Sequence, residues 1–341
     1  MIETFPNTRK VNIIIVNYNS WEDLLTCIKT VNNSIYSNYQ IFIVDNDSQD
    51  ISIEKIKASS LEEKKTLVSI NINDFLNNSF INQIDNCEVV LVINNENEGF
   101  GAGNNVALKY LVNNRDDEYV WLLNPDTEVE KNVLSDLVEI TQPKRKIITG
   151  NLIHYFNDRD RIMYCGGFKV KKYIHGIKRI TNYKYKDQLS AIAGASLFTQ
   201  LSSFKDLGLL PEEYFMYWEE TDFCTKALKN GYSFEVNCKS KIYDHVGSAS
   251  NSNFIREYLY LLNGLRYYRK YYNSHLFFIL LSSLLKFLKA LIFTNKVKLK
   301  ALFWAHLDFC KILLGKEINI KERIAYNKAN EERIAYNKAN V

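Results

Sequence analysis

VNIIIVNYNSWEDLLTCIKTVNNSIYSNYQIFIVDNDS, residues 11–48, decides the fold class. Val11–Val16 is a short β-branched run of strand length. Ser20, with Asp23 three residues on, is a variant of the capping box. Leu24, Leu25, Ile28 and Val31 follow at helical spacing, and Ile41–Val44 is a second buried-type run. A strand, a helix and a strand in 38 residues predict a βαβ unit in a parallel sheet.

The pattern continues downstream. EVVLVIN (88–94) and YVWLLNPD (119–126) read as further strands, and IITGNLIHY opens a fifth. NENEGFGAGNNVALKYLV reads as a Gly-rich turn feeding a helix, and a helix is predicted from about Asn132 to Ile140. Residues 51–86 are polar and Asn-rich, an elaborated connection with one helical piece. Glu219–Asn230 has an acidic first turn, late lysines and Gly231 as a stop, all helix signals. SFEVN (233–237) and KIYDHV (241–246) read as strands, and the chain beyond 250 reads as helical.

Length and composition narrow the options. The 341 residues fit about two domains. The net charge of +4 selects no polyanionic partner. The six cysteines are far apart without a CxxC pair, which suggests no zinc site or disulfide framework and fits a reducing cytosol. The N-terminus carries no signal-peptide pattern.

Ligands of open parallel sheets bind at the carboxyl ends of the strands. Here those ends carry Asn17, Asp45, Asn97 with the glycines at 99, 101 and 103, and Asn124-Pro125-Asp126. Such residues also make ordinary turns, but four polar strand ends in succession form one rim. A dinucleotide fingerprint belongs after the first strand, and this Gly-rich turn follows the third, so an oxidoreductase fits poorly.

VNYNS (16–20), VDNDSQD (44–50), NEGFGAGNN, LLNPDTEV (122–129), AGASLF (193–198), YFMYWEETDFCTKALKNGY (214–232) and HVGS (245–248) occur in this order. The set resembles family-2 glycosyltransferases, in their bacterial rhamnosyltransferase-like branch, over about residues 10–315. The resemblance implies an α/β GT-A fold, with a catalytic domain over 1–250. Its nucleotide-sugar half is about 10–130 and its acceptor half about 131–250. A helical region over 251–320 and a duplicated tail (ERIAYNKAN, twice) over 321–341 follow. It also implies inverting transfer from a nucleoside diphosphate sugar, dTDP-rhamnose before a UDP-sugar, to a glycan or lipid-linked acceptor in cell-surface polysaccharide synthesis. Asn17, Asp45, Asn97, Gly101, Asn104, Asn124 and Asp126 would border the donor. Asp126 and His245 would serve a divalent metal, Mg²⁺ or Mn²⁺, because a diphosphate leaving group needs a cation. Many relatives have Asp-x-Asp where this chain has Asn-Pro-Asp, so one carboxylate is missing. Glu220 occupies the base position, a Glu where the family usually has Asp, and Glu219 would orient the acceptor. Phe215, Tyr217 and Trp218 offer ring faces for a sugar. The alternative is a non-catalytic nucleotide-sugar-binding or scaffold protein.

Residues 256–275 mix arginines with tyrosines, a composition used on single-stranded nucleic acid and at membrane interfaces. The next segment favours the membrane and no nucleic acid. His275, Ser282, Lys286, Lys289 and Lys296 form one helical stripe on a Leu/Phe/Ile-rich segment. The reading is an amphipathic helix whose basic face lies on an anionic leaflet, through residues 256–300, at the inner face of the cell membrane. A core or homodimer helix is the alternative.

Overall fold

The computed structural model describes residues 9–142, 146–245 and 254–327. Two compact units divide the chain. The first is Met1–Val170, Ile177–Glu213 and Glu219–Ser248; the second is Lys171–Gly176, Tyr214–Trp218 and Ala249–Val341.

The first unit opens as predicted. β1 (Val11–Asn17), α1 (Trp21–Asn32) and β2 (Tyr39–Asp45) make a parallel βαβ whose register sets Asn17 opposite Asp45. The polar stretch that followed holds more than a connection: α2 (Ser52–Glu62), β3 (Leu67–Asn71), α3 (Ile72–Leu76) and α4 (Ile81–Asp85). β3 lacks an apolar run because it is an edge strand on which only Ile70 is buried. Next come β4 (Val89–Ile93), α5 (Gly99–Asn114), β5 (Tyr119–Leu123), β6 (Thr127–Val129) and α6 (Val133–Thr141). The remainder is β7 (Ile147–Tyr155), β8 (Asp158–Cys165), β9 (Gly167–Val170), β10 (Ile177–Arg179), β11 (Ala191–Ile192), β12 (Ser196–Gln200), α7 (Leu201–Leu207), α8 (Glu219–Lys229) and β13 (Ser233–Asp244).

The sheet runs β10-β9-β8-β7-β12-β5-β1-β2-β4-β3. From β5 to β3 every pairing is parallel, and β12 joins this half to β7 by antiparallel pairs. The two strands expected at 233–246 are one, β13, with a register shift between Asn237 and Lys241. Side chains alternate along each strand and bury on both faces. Ile14, Phe42, Val44 and Val90 pack with α5 on one face. Ile13, Ile15, Ile41 and Leu91 pack with Leu24, Cys27 and Ile28 of α1 on the other.

The second unit is built on α9 (Phe254–Tyr271), α10 (Leu276–Ile292), α11 (Lys296–Leu313) and α12 (320–327). Tyr258 Oη donates to Asp308 at 2.8 Å, and Arg323 grips the same carboxylate with two bonds of 2.9 Å. α10 reverses the expected orientation. Two members of its polar stripe face the 171–176 strip, Ser282 Oγ accepting the His175 N–H at 2.9 Å and Lys286 Nζ donating to the His175 carbonyl at 2.7 Å, whereas Lys289 is exposed. Phe277, Leu281, Leu284, Leu285, Leu288 and Ile292 are exposed. The cause is local. The 171–176 strip presents the main-chain N–H and carbonyl of His175 to the helix, and Ser282 and Lys286 satisfy them. By length and composition α10 and its preceding turn, residues 273–292, could also cross a bilayer. Of the duplicated tail, residues 328–341 lie outside the described residues.

Candidate active site

The site is built at the carboxyl edge of the parallel half. Asn17 Nδ2 donates to Asp45 Oδ2 at 2.8 Å and to Ser48 Oγ at 3.1 Å. Asp45 Oδ1 accepts the Ser48 N–H at 3.0 Å. Both side chains are fully buried, so they fix the turn after β2 from beneath. The next layer uses two residues that sequence reasoning missed, Asn46 and Asn94. Asn94 Nδ2 donates to Asn46 Oδ1 at 2.9 Å, and Asn46 Nδ2 donates to Asn97 Oδ1 at 2.9 Å and to the Gly99 carbonyl at 3.1 Å. The available signal was their place immediately after a strand. Asn97 also accepts the Gly99 N–H at 2.9 Å, tying the rim to the start of α5.

The glycines do not form a turn ahead of the helix; they lie within its first five residues. Gly99 has φ +87°, the left-handed region that favours glycine. A Cβ on Gly103 would lie 2.9 Å from Val16 Cγ1, and one on Gly101 would lie 3.1 Å from the Pro211 carbonyl and 3.6 Å from Glu219 Cβ. These glycines let α5 settle on the end of β1 and against the start of α8. Asn104 is buried, and its amide donates to the Phe100 carbonyl at 2.9 Å. Neighbouring Asn105 brackets Leu210, donating to its carbonyl at 2.7 Å and accepting its N–H at 3.1 Å.

After β5, the Asn124 N–H donates to the Ala195 carbonyl at 3.0 Å. Asp126 Oδ1 is buried and has no hydrogen-bond partner among the described residues. Burial pushes this carboxyl up, with Asp23 adding to the effect against the Asn124 side chain. The Asp126 carbonyl accepts the His245 N–H at 2.9 Å. The imidazole itself points to Glu128: Nε2 lies 3.1 Å from Oε1, and the ring stacks on Phe156 at 3.8 Å. Glu128 was not foreseen. Among the described residues no three His, Cys, Asp or Glu side chains form a ready cation cage. One buried carboxylate oxygen with no protein donor nevertheless suits a cation shared with a ligand's phosphates. Of the HVGS motif, residues 246–248 lie outside the described residues.

α8 supplies the acidic cluster. Glu219 and Asp222 are buried, whereas Glu220 is half-buried. A Cβ on Gly194 would lie 3.5 Å from Glu220 Cγ and 3.6 Å from Phe100 Cε1. Gly194 precedes Ala195, the residue that holds Asn124. Thus Asn124, the 194–195 turn and Glu220 are contiguous.

The aromatic part of FMYWEETDFC belongs to the second unit. Phe215, Tyr217 and Trp218 have φ of 63°, 68° and 80°, a costly region for bulky side chains. Asn263 holds this backbone, donating to the carbonyls of Tyr214 at 2.6 Å and Met216 at 2.8 Å. Trp218 corrects an expectation. It is 2% exposed, its indole N–H donates to the Tyr260 carbonyl at 2.9 Å, and Tyr260, Tyr267, Tyr268 and His175 surround it. It anchors the loop and offers no face to a sugar.

Residues 12–207, more than half of the chain, match the model of glycosyl transferase family 2. The protein belongs to this family. The low-salt glycan biosynthesis hexosyltransferase Agl10 of Haloferax volcanii is 26% identical over 242 residues, 65% of this chain and 66% of that protein. The rhamnosyltransferase WbbL of Escherichia coli K12 is 26% identical over 145 residues, 38% of this chain and 53% of that one. The chain therefore spans less than two thirds of either relative. Among solved structures, GalNAc-T7 with UDP, GalNAc and Mn²⁺ superposes with a TM-score of 0.56 at 18% identity, over 80% of this chain and 49% of that one. The mannosyltransferase PcManGT of Pyrobaculum calidifontis, with GDP-Man and Mn²⁺, gives 0.55 at 12% identity, over 95% and 81%. The fold is GT-A.

The family 2 match runs from β1 to the end of α7. It contains Asn17, Asp45, Asn97, Gly101, Asn104, Asn124 and Asp126. Glu219, Glu220 and His245 lie beyond it. Their association with the family 2 rim rests on the geometry alone: Gly101 against Glu219, Gly194 against Glu220, and the His245 main chain on Asp126.

Proposed function

We propose that this family 2 enzyme transfers a sugar, with inversion, from a nucleoside diphosphate sugar to an acceptor hydroxyl on a glycan or lipid-linked saccharide of the cell surface. The observation that carries the proposal is the contiguity of Glu220 with the Asn124–Asp126 turn through Gly194 and Ala195. Glu220, the least buried carboxylate of the α8 first turn, takes the acceptor proton. The freed oxygen attacks the anomeric carbon, and the bond from that carbon to the diphosphate oxygen breaks. An alcohol is a poor nucleophile while protonated, so a base is required, and inversion needs only one. Buried Glu219 positions the acceptor side by holding the α8 start against Gly101.

Asn17 and Asp45, with Asn97, hold the turns that meet the nucleotide, and Gly101 and Asn104 let α5 carry them. Asp126 would hold a divalent cation, Mg²⁺ or Mn²⁺, with His245 beside it. Bound there, the cation would neutralise charge on the departing diphosphate. Mn²⁺ named with two structural neighbours supports this reading. The rhamnosyltransferase among the relatives supports dTDP-rhamnose as the first donor to test, a UDP-sugar as the second. We place the protein at the inner face of the cell membrane, on the exposed apolar side of α10.

A thermal-shift panel of nucleoside diphosphate sugars with Mg²⁺ and Mn²⁺, followed by donor hydrolysis, tests the reading. Metal-dependent hydrolysis abolished by Glu220→Gln and by Asp126→Ala is expected. Full activity in both variants would overturn the site. Asn124 in place of a second carboxylate favours one other reading, a nucleotide-sugar-binding protein without turnover; it predicts a thermal shift with no hydrolysis.

A further inference from the structure

The second unit contains a cavity of about 420 Å³ that the transferase reading leaves unused. Its lining carries three ammonium groups, Lys286, Lys289 and Lys298, and one carboxylate, Glu257. Lys298 Nζ stands 3.7 Å from Glu257 Oε2, so that charge is offset. Lys286 Nζ spends one proton on the His175 carbonyl. Burial pushes Lys286 down to about 8, and Lys171 and Lys298 push the same way. Unopposed cations of one sign in a half-enclosed space favour an anionic ligand.

The cavity is continuous with an apolar surface. Phe293 lines it and is 69% exposed. Leu284, Leu288 and Ile292 extend that surface along the outer side of α10. A ligand that meets both surfaces has an anionic head and a hydrocarbon tail. Lysines bordering an exposed apolar helix are also placed to reach headgroups while the helix lies at the acyl boundary.

We propose that this cavity receives the phosphate headgroup of an anionic bilayer phospholipid while the outer side of α10 rests among the acyl chains. The proposal deepens the membrane placement above and rests on it. It requires nothing of the transfer chemistry. α10 then lies in the plane of the leaflet with its polar side toward the protein, the reverse of a helix held by a basic face alone.

The test uses the full chain without detergent. Short-chain phosphatidylglycerol, kept below its micelle concentration, is titrated calorimetrically, and flotation with neutral phosphatidylcholine vesicles separately reads the apolar surface. Saturable one-to-one binding of the short-chain lipid is expected. It weakens about fivefold in Lys289→Gln and in Lys298→Gln, and is unchanged in Lys296→Gln, an equal loss of charge outside the cavity lining. Lys289 is exposed, so its variant folds; unchanged thermal melts check this. Absence of saturable binding, or equal affinity in all three variants, overturns the proposal. So does equally tight binding of glycerol 1-phosphate, which would make a free phosphate the ligand. Self-association that buries α10 and excludes lipid also overturns it. Flotation with neutral vesicles but no short-chain lipid binding retains the membrane placement and sinks the cavity. Donor hydrolysis in solution stays unchanged in the three variants.

Discussion

His245 meets Asp126 through its main chain. Its N–H donates to the Asp126 carbonyl at 2.9 Å, while its ring nitrogen lies 3.1 Å from Glu128 Oε1. The carboxylate of Asp126 is thus left with a buried oxygen that no described protein group satisfies. A buried carboxylate with one oxygen unsatisfied costs stability. Asp126→Asn removes that charge at nearly constant volume. We expect it to raise the melting temperature of the metal-free protein by about 2 °C, corresponding to about 1 kcal/mol, and to abolish the stabilisation that Mn²⁺ with a nucleoside diphosphate gives the wild type. Melting curves with and without the two additives check both effects. A lower melting temperature in the variant would mean that the carboxylate is satisfied from within.

Glu220 and Glu219 separate by burial, and their amide variants should separate by kinetics. Glu220→Gln keeps the side-chain volume and removes the proposed base, so kcat should fall about 10²–10⁴-fold with the donor KM little changed. Glu219→Gln replaces a buried carboxylate packed beside Gly101. Its effect should appear first in thermal stability and acceptor KM. Steady-state kinetics on the donor and acceptor selected by the thermal-shift panel distinguish the two. Equal losses of kcat would remove the distinction between base and positioning residue.

Gly103 tests how the glycine run works. An alanine gains about 1 kcal/mol of helix propensity over glycine. Its Cβ, however, would sit 2.9 Å from Val16 Cγ1, and a β-branched side chain in a strand has little χ1 freedom to withdraw. Overpacking of this kind costs about 1–3 kcal/mol, so the clash wins. Gly103→Ala should destabilise by about 1 kcal/mol net and raise the donor KM by displacing α5 from the end of β1. Chemical denaturation and donor titration measure the two. A more stable variant with unchanged KM would show that the glycines serve no close approach.

How much of this was legible follows from what each residue faces. β1 and β2 are buried on both faces, so Val11–Val16 and Ile41–Val44 read as continuous apolar runs. β3 is an edge strand with Ser69 exposed, and its sequence carries no comparable run. The rim residues Asn17 and Asp45 could be found because they end strands, and Asn97 because it leads the glycine run after one. Asn46, Asn94 and Glu128 could not be ranked, since their importance comes from partners 48–117 positions away. Trp218 and α10 show a different limit. A pattern reveals that a residue is aromatic or that a helix has two sides, but the direction each faces depends on what packs there. For α10 the decisive group is the main chain of His175, a hundred residues earlier in the chain.

Asp308 and the groups around it all lie in the second unit. Asp308 is fully buried and accepts from Tyr258, Lys311 and Arg323. Burial alone would raise its carboxyl, but the bonds from Arg323, Lys311 and Tyr258 together outweigh it and hold the group below the usual range. A folded-state value below the unfolded one gives stability that is present above the unfolded value, about 3.9, and lost as pH falls through the folded one. The wild type should therefore lose stability steeply below about pH 4. Asp308→Asn should flatten that limb, because the titrating group is gone. Arg323→Ala, which leaves the carboxylate buried with part of its cage, should cost about 3 kcal/mol at neutral pH. Melts of the three proteins between neutral and acid pH test this. A parallel acid limb in Asp308→Asn would assign the acid sensitivity to other carboxylates.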